Sequence, residues 1–157
     1  MAHSVVRAQV GDIRAWLVLA AEVEPLFGPM VEDPGFVQAL QRNIARGTAL
    51  CVREGGGAPG AALLGGLLYS PKPPRCTIGW LAVTGTHRQR GIGRALVEHV
   101  FELVQPPVEY EVTTFGADRA EGTLARRFYV QMGFHPAESV PDGPEGGSRQ
   151  IFRRTIL

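Results

Sequence analysis

The chain of 157 residues is poor in lysine and cysteine and contains no long apolar run. Of its 16 basic residues only Lys72 is a lysine, a bias that we attribute to genome composition. The two cysteines, Cys51 and Cys76, lie in strand-like runs without a CxxC spacing, which favours reduced core thiols over a disulfide or a metal site. No stretch of about 18 apolar residues is present, so we expect no segment that spans a membrane.

Targeting signals and net charge are also lacking. The N-terminal stretch MAHSVVRAQV has neither the long apolar centre nor the small-residue cleavage site of a signal peptide, so we expect a cytoplasmic protein. A formal net charge of +1 gives no reason to expect nucleic acid as a partner. The length and the hydrophobic content of 45% are typical of one soluble domain, here residues 1–157.

The N-terminal third of the chain predicts one strand and two helices. Residues 4–10 are strand-like, and apolar residues at helical spacing follow, with Asp12 as a candidate N-cap. The second helix has Asp33 as a candidate cap and Pro34 at its first position. Gly47 follows directly after its end, where glycine commonly terminates a helix.

The remaining pattern predicts three strands, a helix, a strand, a helix and two short strands. The helix after the third of these strands is amphipathic and is stopped by Pro106 and Pro107. The last helix places Leu124, Phe128 and Met132 on one face, which we interpret as its buried stripe. A turn-rich loop over residues 140–149 separates the last two strands. The whole order indicates an α/β protein with a mixed sheet.

A basic loop with two glycines follows the strongest predicted strand. The stretch HRQRGIGRAL, residues 87–96, sets three arginines around Gly91 and Gly93 and leads directly into the amphipathic helix. Glycines allow backbone amides to approach a ligand, and a helix N-terminus favours anions. The pattern fits a plain basic turn equally well, so the loop alone leaves both interpretations open. No Lys-Ser or Lys-Thr pair follows the glycines, which excludes a Walker-type nucleotide loop.

Two motifs together resemble a known family. Residues 78–100, IGWLAVTGTHRQRGIGRALVEHV, are similar to the acyl-CoA motif of the GCN5-related N-acetyltransferase (GNAT) superfamily, in which a strand, an R-x-x-G-x-G loop and a helix follow one another. Residues 125–134, ARRFYVQMGF, resemble the second family signature, A-x-x-x-Y-x-x-x-G-F. The resemblance implies a single-domain GNAT fold: a mixed, mostly antiparallel sheet with a splayed parallel strand pair, flanked by about four helices.

The resemblance further implies acetyl-CoA as cosubstrate and no metal. The cofactor would lie between two splayed strands, residues 76–83 and 109–115, where the first strand would pair with the pantetheine arm. The amides of the basic loop would hold the pyrophosphate. The residues implied for cofactor binding are Leu81, Ala82, Val83, Arg88, Gln89, Arg90, Gly91, Ile92, Gly93 and Arg94.

Tyr129 occupies the tyrosine position of the second signature. The resemblance implies that an amine attacks the thioester directly and that Tyr129 protonates the departing thiolate as a general acid. The alternative is a core aromatic residue beside Phe128. Since the expected buried stripe lies about 100° away on the helix, the functional interpretation is favoured.

The sequence departs from the family at the position seven residues before this tyrosine. The family often has an asparagine there that contacts the cofactor, whereas this chain has Gly122. Either the contact is lost, or Asp118 or Thr123 supplies it.

A general base is also not evident. In the strand before the loop the alternating positions Thr77, Gly79 and Leu81 offer none. The amine therefore arrives neutral, or the base comes from another element. The candidates, each of which also fits a solvated surface carboxylate, are Glu22, Glu24, Glu32, Asp33 and Glu145.

The resemblance places the acceptor between the first two helices and the loop over residues 140–149, which is either a lid or a plain connector. Apolar residues there, interleaved with acidic ones, suggest a small cationic amine with an apolar part. The apolar residues are Leu26, Phe27, Met30 and Phe36.

The leading function is an acetyl-CoA-dependent N-acetyltransferase that acts on a primary amine of a small molecule or peptide. A protein N-terminal acetyltransferase and a non-catalytic acyl-CoA-binding sensor remain alternatives. A transferase acting on aminoacyl-tRNA is disfavoured because it would need a broad basic face. Dimers are common among proteins of this resemblance, so a homodimer is a further expectation.

Overall fold

The computed structural model of the chain describes residues 3–143 and 146–157. The helices in these ranges are α1 (Ile13–Phe27), α2 (Pro34–Arg46), α3 (Ile92–Leu103) and α4 (Thr123–Gln131). The strands are β1 (Val6–Arg7), β2 (Ala49–Arg53), β3 (Leu63–Lys72), β4 (Arg75–Val83), β5 (Val108–Phe115), β6 (His135–Val140) and β7 (Arg149–Ile156). Their order along the chain confirms the order that the sequence predicts.

All seven strands join one mixed sheet, in the order β1-β2-β3-β4-β5-β7-β6. Neighbouring strands are antiparallel except for β4 and β5, which are parallel. This parallel pairing extends only from Arg75 with Glu109 to Ile78 with Val112. Both strands continue beyond that point and diverge, so the splayed pair and the predicted fold class are confirmed.

A bulge at Gly79 accompanies the divergence. Leu68 of β3 pairs with Trp80, whereas the next residue, Tyr69, pairs with Ile78, so β4 has one residue more than its partner. Ile78 consequently belongs to the core beneath α3 and α4, whereas Trp80 packs beneath α1 and α2. The expectation that Thr77, Gly79 and Leu81 alternate on one face is wrong, because the extra residue shifts the alternation.

Each face of the sheet carries its own hydrophobic core. Tyr110, Phe134 and Phe152 are fully buried beneath α3 and α4, and Trp16 and Leu40 are fully buried beneath α1 and α2. Each such side chain contributes roughly 1.5–3 kcal/mol to folding by leaving water. One pair of helices therefore packs on each face of the sheet. The gap between β4 and β5 lies between these two helical layers.

The helix caps agree with the sequence in one case and differ in another. Asp33 caps α2, since its Oδ1 accepts a hydrogen bond from the Gly35 amide at 2.9 Å, and Gly47 ends that helix with a φ of +75°. Asp12 does not cap α1, and that expectation is wrong. Its carboxylate is buried and accepts hydrogen bonds from Arg53 Nε at 2.9 Å, Arg53 Nη2 at 2.7 Å and the Gln9 amide at 2.8 Å, so it is turned away from the first amides of α1.

Both cysteines are buried and free of disulfides, as the sequence predicts. Burial raises the pKa of each thiol, Cys51 and Cys76, to about 11, which keeps them protonated and unreactive at neutral pH. Within residues 3–143 and 146–157, no group of three or more histidine, cysteine or acidic side chains is arranged to hold a metal. No helix among the described residues has the length and apolar character needed to cross a membrane.

Candidate active site

A cleft of about 1140 Å³ opens where β4 and β5 diverge. The end of β4 and the loop before α3 form one wall, and the end of β5 and α4 form the other. Residues 80–83 of β4 still pair with β3, but beyond Ile78 no described strand pairs with β4 on the side of β5. The backbone groups of residues 79–83 that point away from β3 therefore face the cleft without a strand partner. An extended ligand can therefore add to this edge of β4 as a neighbouring strand would.

The basic loop closes one end of the cleft. Gln89 and Gly91 have φ values of +61° and +83°, and Gly91 is the N-cap residue directly before α3. The first N–H groups of a helix have no acceptor within the helix. Among the hydrogen bonds of the described residues, none is donated by the backbone N–H groups of residues 88–94. Together with the positive end of the α3 dipole, these amides form a site suited to a phosphate or diphosphate.

Most of the residues that the sequence analysis assigned to cofactor binding line this cleft. They are Leu81, Ala82, Val83, Arg88, Gln89, Gly91, Ile92, Gly93 and Arg94. Arg90 does not line it, and its carbonyl oxygen lies 2.7 Å from His3 Nε2 instead. The Ile92 side chain is buried in the core, so only its backbone can face a ligand.

The arginines at the mouth of the cleft are exposed and weakly held. Arg88 Nε donates a long hydrogen bond of 3.4 Å to the carbonyl oxygen of Val83. Arg94 lies 3.5 Å from Glu98 one helical turn on. Such exposed contacts are worth only about 0.2–1 kcal/mol, so both guanidinium groups can reorient toward an anion at the loop.

Tyr129 is both a core residue and a cleft residue. Its side chain is 6% exposed and packs against the rings of Phe128, Phe134 and Phe152, with centroids 5.1, 5.6 and 6.3 Å away. It also lines the cleft, and its hydroxyl has no hydrogen-bond partner among the described residues. Burial raises the pKa of Tyr129, so the phenol is protonated at neutral pH. Tyr129 can therefore be a core aromatic residue through its ring and still present its hydroxyl to a ligand in the cleft.

The buried face of α4 differs from the expected stripe. Leu124 is 57% exposed, so its assignment to a buried stripe is wrong. Met132 is buried and Phe128 is partly buried. The helix is rotated because Tyr129, rather than Leu124, packs into the aromatic core of the sheet at Phe134 and Phe152.

The candidate bases on the first two helices bind backbone or side-chain groups away from the cleft. Glu22 accepts hydrogen bonds from the Thr84 hydroxyl at 2.9 Å and the Gly85 amide at 2.6 Å. Glu24 accepts from two successive amides at 2.7 and 2.8 Å, which lowers its pKa. With Asp33 acting as a helix cap and Glu32 exposed, the expected acidic lining is not found at the cleft.

Of the remaining carboxylates, Glu145 lies outside the described residues. Glu121 is the only carboxylate among the described residues that line the cleft. Its own backbone amide and Arg119, whose Nε lies 2.6 Å away, lower the pKa of Glu121. A carboxylate with a lowered pKa and an arginine partner is a poor general base.

The other end of the cleft is aromatic. The Trp80 ring lies between Phe27 and Phe36, with centroids 6.5 and 5.9 Å away, and Phe27 is 6.0 Å from Phe115. Of the four apolar residues expected at the acceptor, Leu26, Phe27 and Met30 line this end, whereas Phe36 does not and contacts the Trp80 ring from outside the lining. Sequence reasoning did not find Phe115, or the lining residues Thr113, Thr114 and Arg149, because their only signal is strand alternation, which does not identify a cleft.

The comparison with family models decides the family. The model described as "Acetyltransferase (GNAT) domain" matches residues 45–136, more than half of the chain, and includes both walls of the cleft. The chain belongs to the GNAT acetyltransferase family. A search of curated proteins gave no match.

Several solved structures share the fold along the whole chain. Ard1 from Thermoplasma volcanium superposes with a TM-score of 0.78 at 18% identity, covering 100% of this chain and 99% of that one. Arabidopsis thaliana Naa50, in complex with the bisubstrate analogue CoA-Ac-MVNAL, gives 0.73 at 16% identity, with 99% and 100% covered. The PaiA N-acetyltransferase from Thermoplasma acidophilum, in complex with coenzyme A, gives 0.73 at 13% identity, with the same coverage.

One departure from the GNAT pattern has a steric explanation. Gly122 is buried, and a Cβ atom there would lie 2.2 Å from the Cβ of Phe115, so no side chain fits. Neither suggested substitute for the missing asparagine lines the cleft: Asp118 accepts a hydrogen bond from Ser148, and Thr123 is exposed. In this GNAT protein the Phe115 side chain packs directly against Gly122 and takes the space that a side chain at position 122 would need.

Proposed function

We propose that the protein is an N-acetyltransferase that transfers the acetyl group of acetyl-CoA to a primary amine of a small molecule or peptide. The observation that carries the proposal is the open cleft between β4 and β5, with unbonded loop amides at one end and the Tyr129 hydroxyl inside. Membership of the GNAT family supports an acyltransferase.

The residues present fit a long cofactor with a diphosphate. The cleft volume of about 1140 Å³ exceeds that of an ordinary small-molecule pocket, which leaves room for an acceptor as well. Gly93 and Phe128 both line the cleft, and an added Cβ at Gly93 would lie 3.4 Å from the Phe128 ring, so a larger residue there would narrow the cleft beside the loop. The amides of residues 88–94 would hold the diphosphate, and the free edge of β4 would hold the pantetheine arm.

When bound, acetyl-CoA supplies a thioester carbonyl that an amine can attack. An N–H group on the unpaired edge of β4, residues 79–83, is available to donate a hydrogen bond to an oxyanion in the cleft. Tyr129 donates its hydroxyl proton toward the leaving sulfur. Because burial keeps this phenol protonated, the donor is present throughout the neutral pH range.

The lining supports an amine that reaches the cleft in its neutral form. Among the described lining residues the candidate bases are His87 and Glu121. His87 belongs to the loop that holds the anion, and Glu121 is paired with Arg119. The acceptor amine therefore loses its proton to solvent before it binds, and the reaction needs no dedicated protein base.

The test is thiol release from acetyl-CoA over a panel of amines, amino acids, polyamines and peptides with free N-termini, together with calorimetric binding of CoA. Transfer to one class of amine with saturable CoA binding supports the proposal. CoA binding without transfer to any amine would instead support the sensor, and peptide-selective transfer would support the N-terminal acetyltransferase. The polar groups of Thr113, Thr114 and Arg149 beside the apolar wall favour turnover over a closed sensor pocket.

A further inference from the structure

Arg149 introduces a positive charge at the aromatic end of the cleft. It is the first residue of β7, it pairs with Phe115 of β5, and it lines the cleft. Directly paired residues of neighbouring strands share a face of the sheet, so Arg149 lies on the face where Phe115 meets Phe27 of α1. Its Nε donates a hydrogen bond to the carbonyl oxygen of Pro141 at 3.0 Å, which fixes the side chain.

The charge of Arg149 is not balanced by a neighbouring carboxylate. Arg153, on the same face of β7, forms ion pairs with Glu109, Glu111 and Glu138. Among the described residues no carboxylate forms an ion pair with Arg149, and none accepts a hydrogen bond from its terminal guanidinium nitrogens. A half-buried guanidinium beside an apolar wall is costly unless an anion pairs with it, so this position is suited to a negatively charged ligand group.

The wall next to Arg149 is aromatic. Phe115 lies beside it, Phe27 is 6.0 Å from Phe115, and Trp80 is 6.5 Å from Phe27. The Trp80 indole N–H donates to the sulfur of Met30 at 3.2 Å, so it presents no free donor to the cleft. This wall can bind an apolar or aromatic side chain of the acceptor. For a charged amino group in addition to the reacting amine it provides only the faces of aromatic rings.

We infer that the acceptor is a free apolar or aromatic α-amino acid whose carboxylate pairs with Arg149, an inference that rests on the proposed transfer function. A planar guanidinium binds a carboxylate through two parallel hydrogen bonds, which orients the neighbouring amine. The aromatic wall accepts the side chain. This acceptor replaces the cationic amine that the acidic residues of the first two helices suggested, because those carboxylates are not at the cleft.

The test compares L-phenylalanine with 2-phenylethylamine, which differs only by the absent carboxylate, and with L-phenylalanine amide. The kcat/KM of each amine is measured by thiol release and expressed per neutral amine. We expect wild type to favour phenylalanine over 2-phenylethylamine on the order of 100-fold. In Arg149→Gln this preference falls to a few-fold, because kcat/KM for phenylalanine drops far more than kcat/KM for 2-phenylethylamine, and the preference of Arg149→Lys lies between those of wild type and Arg149→Gln.

Arg42→Gln is the matched control, since Arg42 is an exposed arginine of α2 that does not line the cleft. We expect Arg42→Gln to keep the wild-type preference for phenylalanine over 2-phenylethylamine. Calorimetry with N-acetyl-L-phenylalanine and its amide gives a readout without turnover, in which wild type binds the carboxylate form more tightly. Because this measurement uses wild type, it tests whether the cleft prefers a carboxylate even where an Arg149 variant fails to fold. Equal affinity for the carboxylate and amide forms would contradict the inference.

Equal kcat/KM for phenylalanine and 2-phenylethylamine in wild type would overturn the inference and leave the transferase proposal standing. A preference that survives unchanged in Arg149→Gln would overturn the role of Arg149. Intact CoA binding without transfer to any amine would overturn the proposed function and this inference with it.

Discussion

A Cβ atom on Gly122 would lie 2.2 Å from the Cβ of Phe115, so the two residues exclude any side chain at position 122. Phe115 ends β5, and its ring contacts Phe27 and lies under the Arg119 guanidinium at 4.7 Å. The position where GNAT resemblance suggests a cofactor-binding asparagine is thus part of the packing that shapes the aromatic end of the cleft.

Gly122→Ala is expected to destabilise the protein by about 1–3 kcal/mol, because a Cβ cannot be accommodated without a backbone shift. Urea unfolding measures the change. In a Phe115→Gly background the clash partner is gone, so the additional cost of Gly122→Ala should largely disappear. An equal cost in both backgrounds would show that the clash is not the cause.

Gly93→Val is expected to weaken CoA binding by about tenfold or more, while the melting temperature changes little. The Cβ of the new side chain would lie 3.4 Å from the Phe128 ring, and because Gly93 and Phe128 both line the cleft, the added methyl groups would narrow it beside the loop. Gly91→Ala meets open space, so its effect should come from the φ of +83°, which costs about 1 kcal/mol in a residue other than glycine. Calorimetry with CoA measures both, with Arg90→Ala, outside the cleft lining, as the mild control. Wild-type affinity in Gly93→Val would contradict the assignment of the loop.

Tyr129→Phe is expected to lower kcat on the order of 100-fold with little change in CoA affinity. The Tyr129 hydroxyl has no partner within the described chain, so its removal should leave the melting temperature nearly unchanged. The aromatic contacts with Phe134 and Phe152 are retained by phenylalanine. Unchanged kcat in this variant would remove Tyr129 from the reaction.

The pH dependence of kcat/KM should follow the pKa of the acceptor amine. Below that pKa the neutral fraction of the amine rises about tenfold per pH unit, and no described carboxylate at the cleft titrates near neutrality. Burial keeps Tyr129 protonated well into the alkaline range, so no fall should appear up to about pH 10. Profiles for two amines of different pKa test this: an inflection at the same pH for both would reveal a protein base instead.

The buried pair of Asp12 and Arg53 should dominate the acid sensitivity of the fold. Burial alone would raise the pKa of Asp12, but hydrogen bonds from Arg53 and from the amides of Gln9 and Gly60 outweigh it, and the pKa is lowered. Asp12→Ala leaves Arg53 buried without a partner and should cost about 3–5 kcal/mol. Glu98→Ala, which breaks an exposed pair, should cost at most about 0.5 kcal/mol.

The sign of this pH effect follows from the lowered pKa. The stabilisation is present above the unfolded pKa of about 3.9 and is lost as the pH falls through the lower folded value. Urea unfolding between pH 5 and about pH 2 should therefore show a smaller loss of stability in Asp12→Asn than in wild type. An identical pH slope in both proteins would assign the acid sensitivity to other carboxylates.

The sequence determined the order of elements and the position of the glycine-containing loop at the start of α3. Local signals sufficed there: helical spacing, Asp33 as a cap, Gly47 at a helix end, and two glycines at the start of a helix are all encoded within a few residues. The family signatures are equally local, and the family match confirms the membership that they implied.

Only the tertiary structure decided which side chains face the cleft. The bulge at Gly79 reverses the alternation of β4, and the rotation of α4 buries Tyr129 while it exposes Leu124. The acidic residues of the first two helices bind other groups, and Arg149 reaches the aromatic wall from a strand far away in sequence. These features depend on contacts between distant segments, and single-residue shifts in register or rotation exchange the faces of strands and helices.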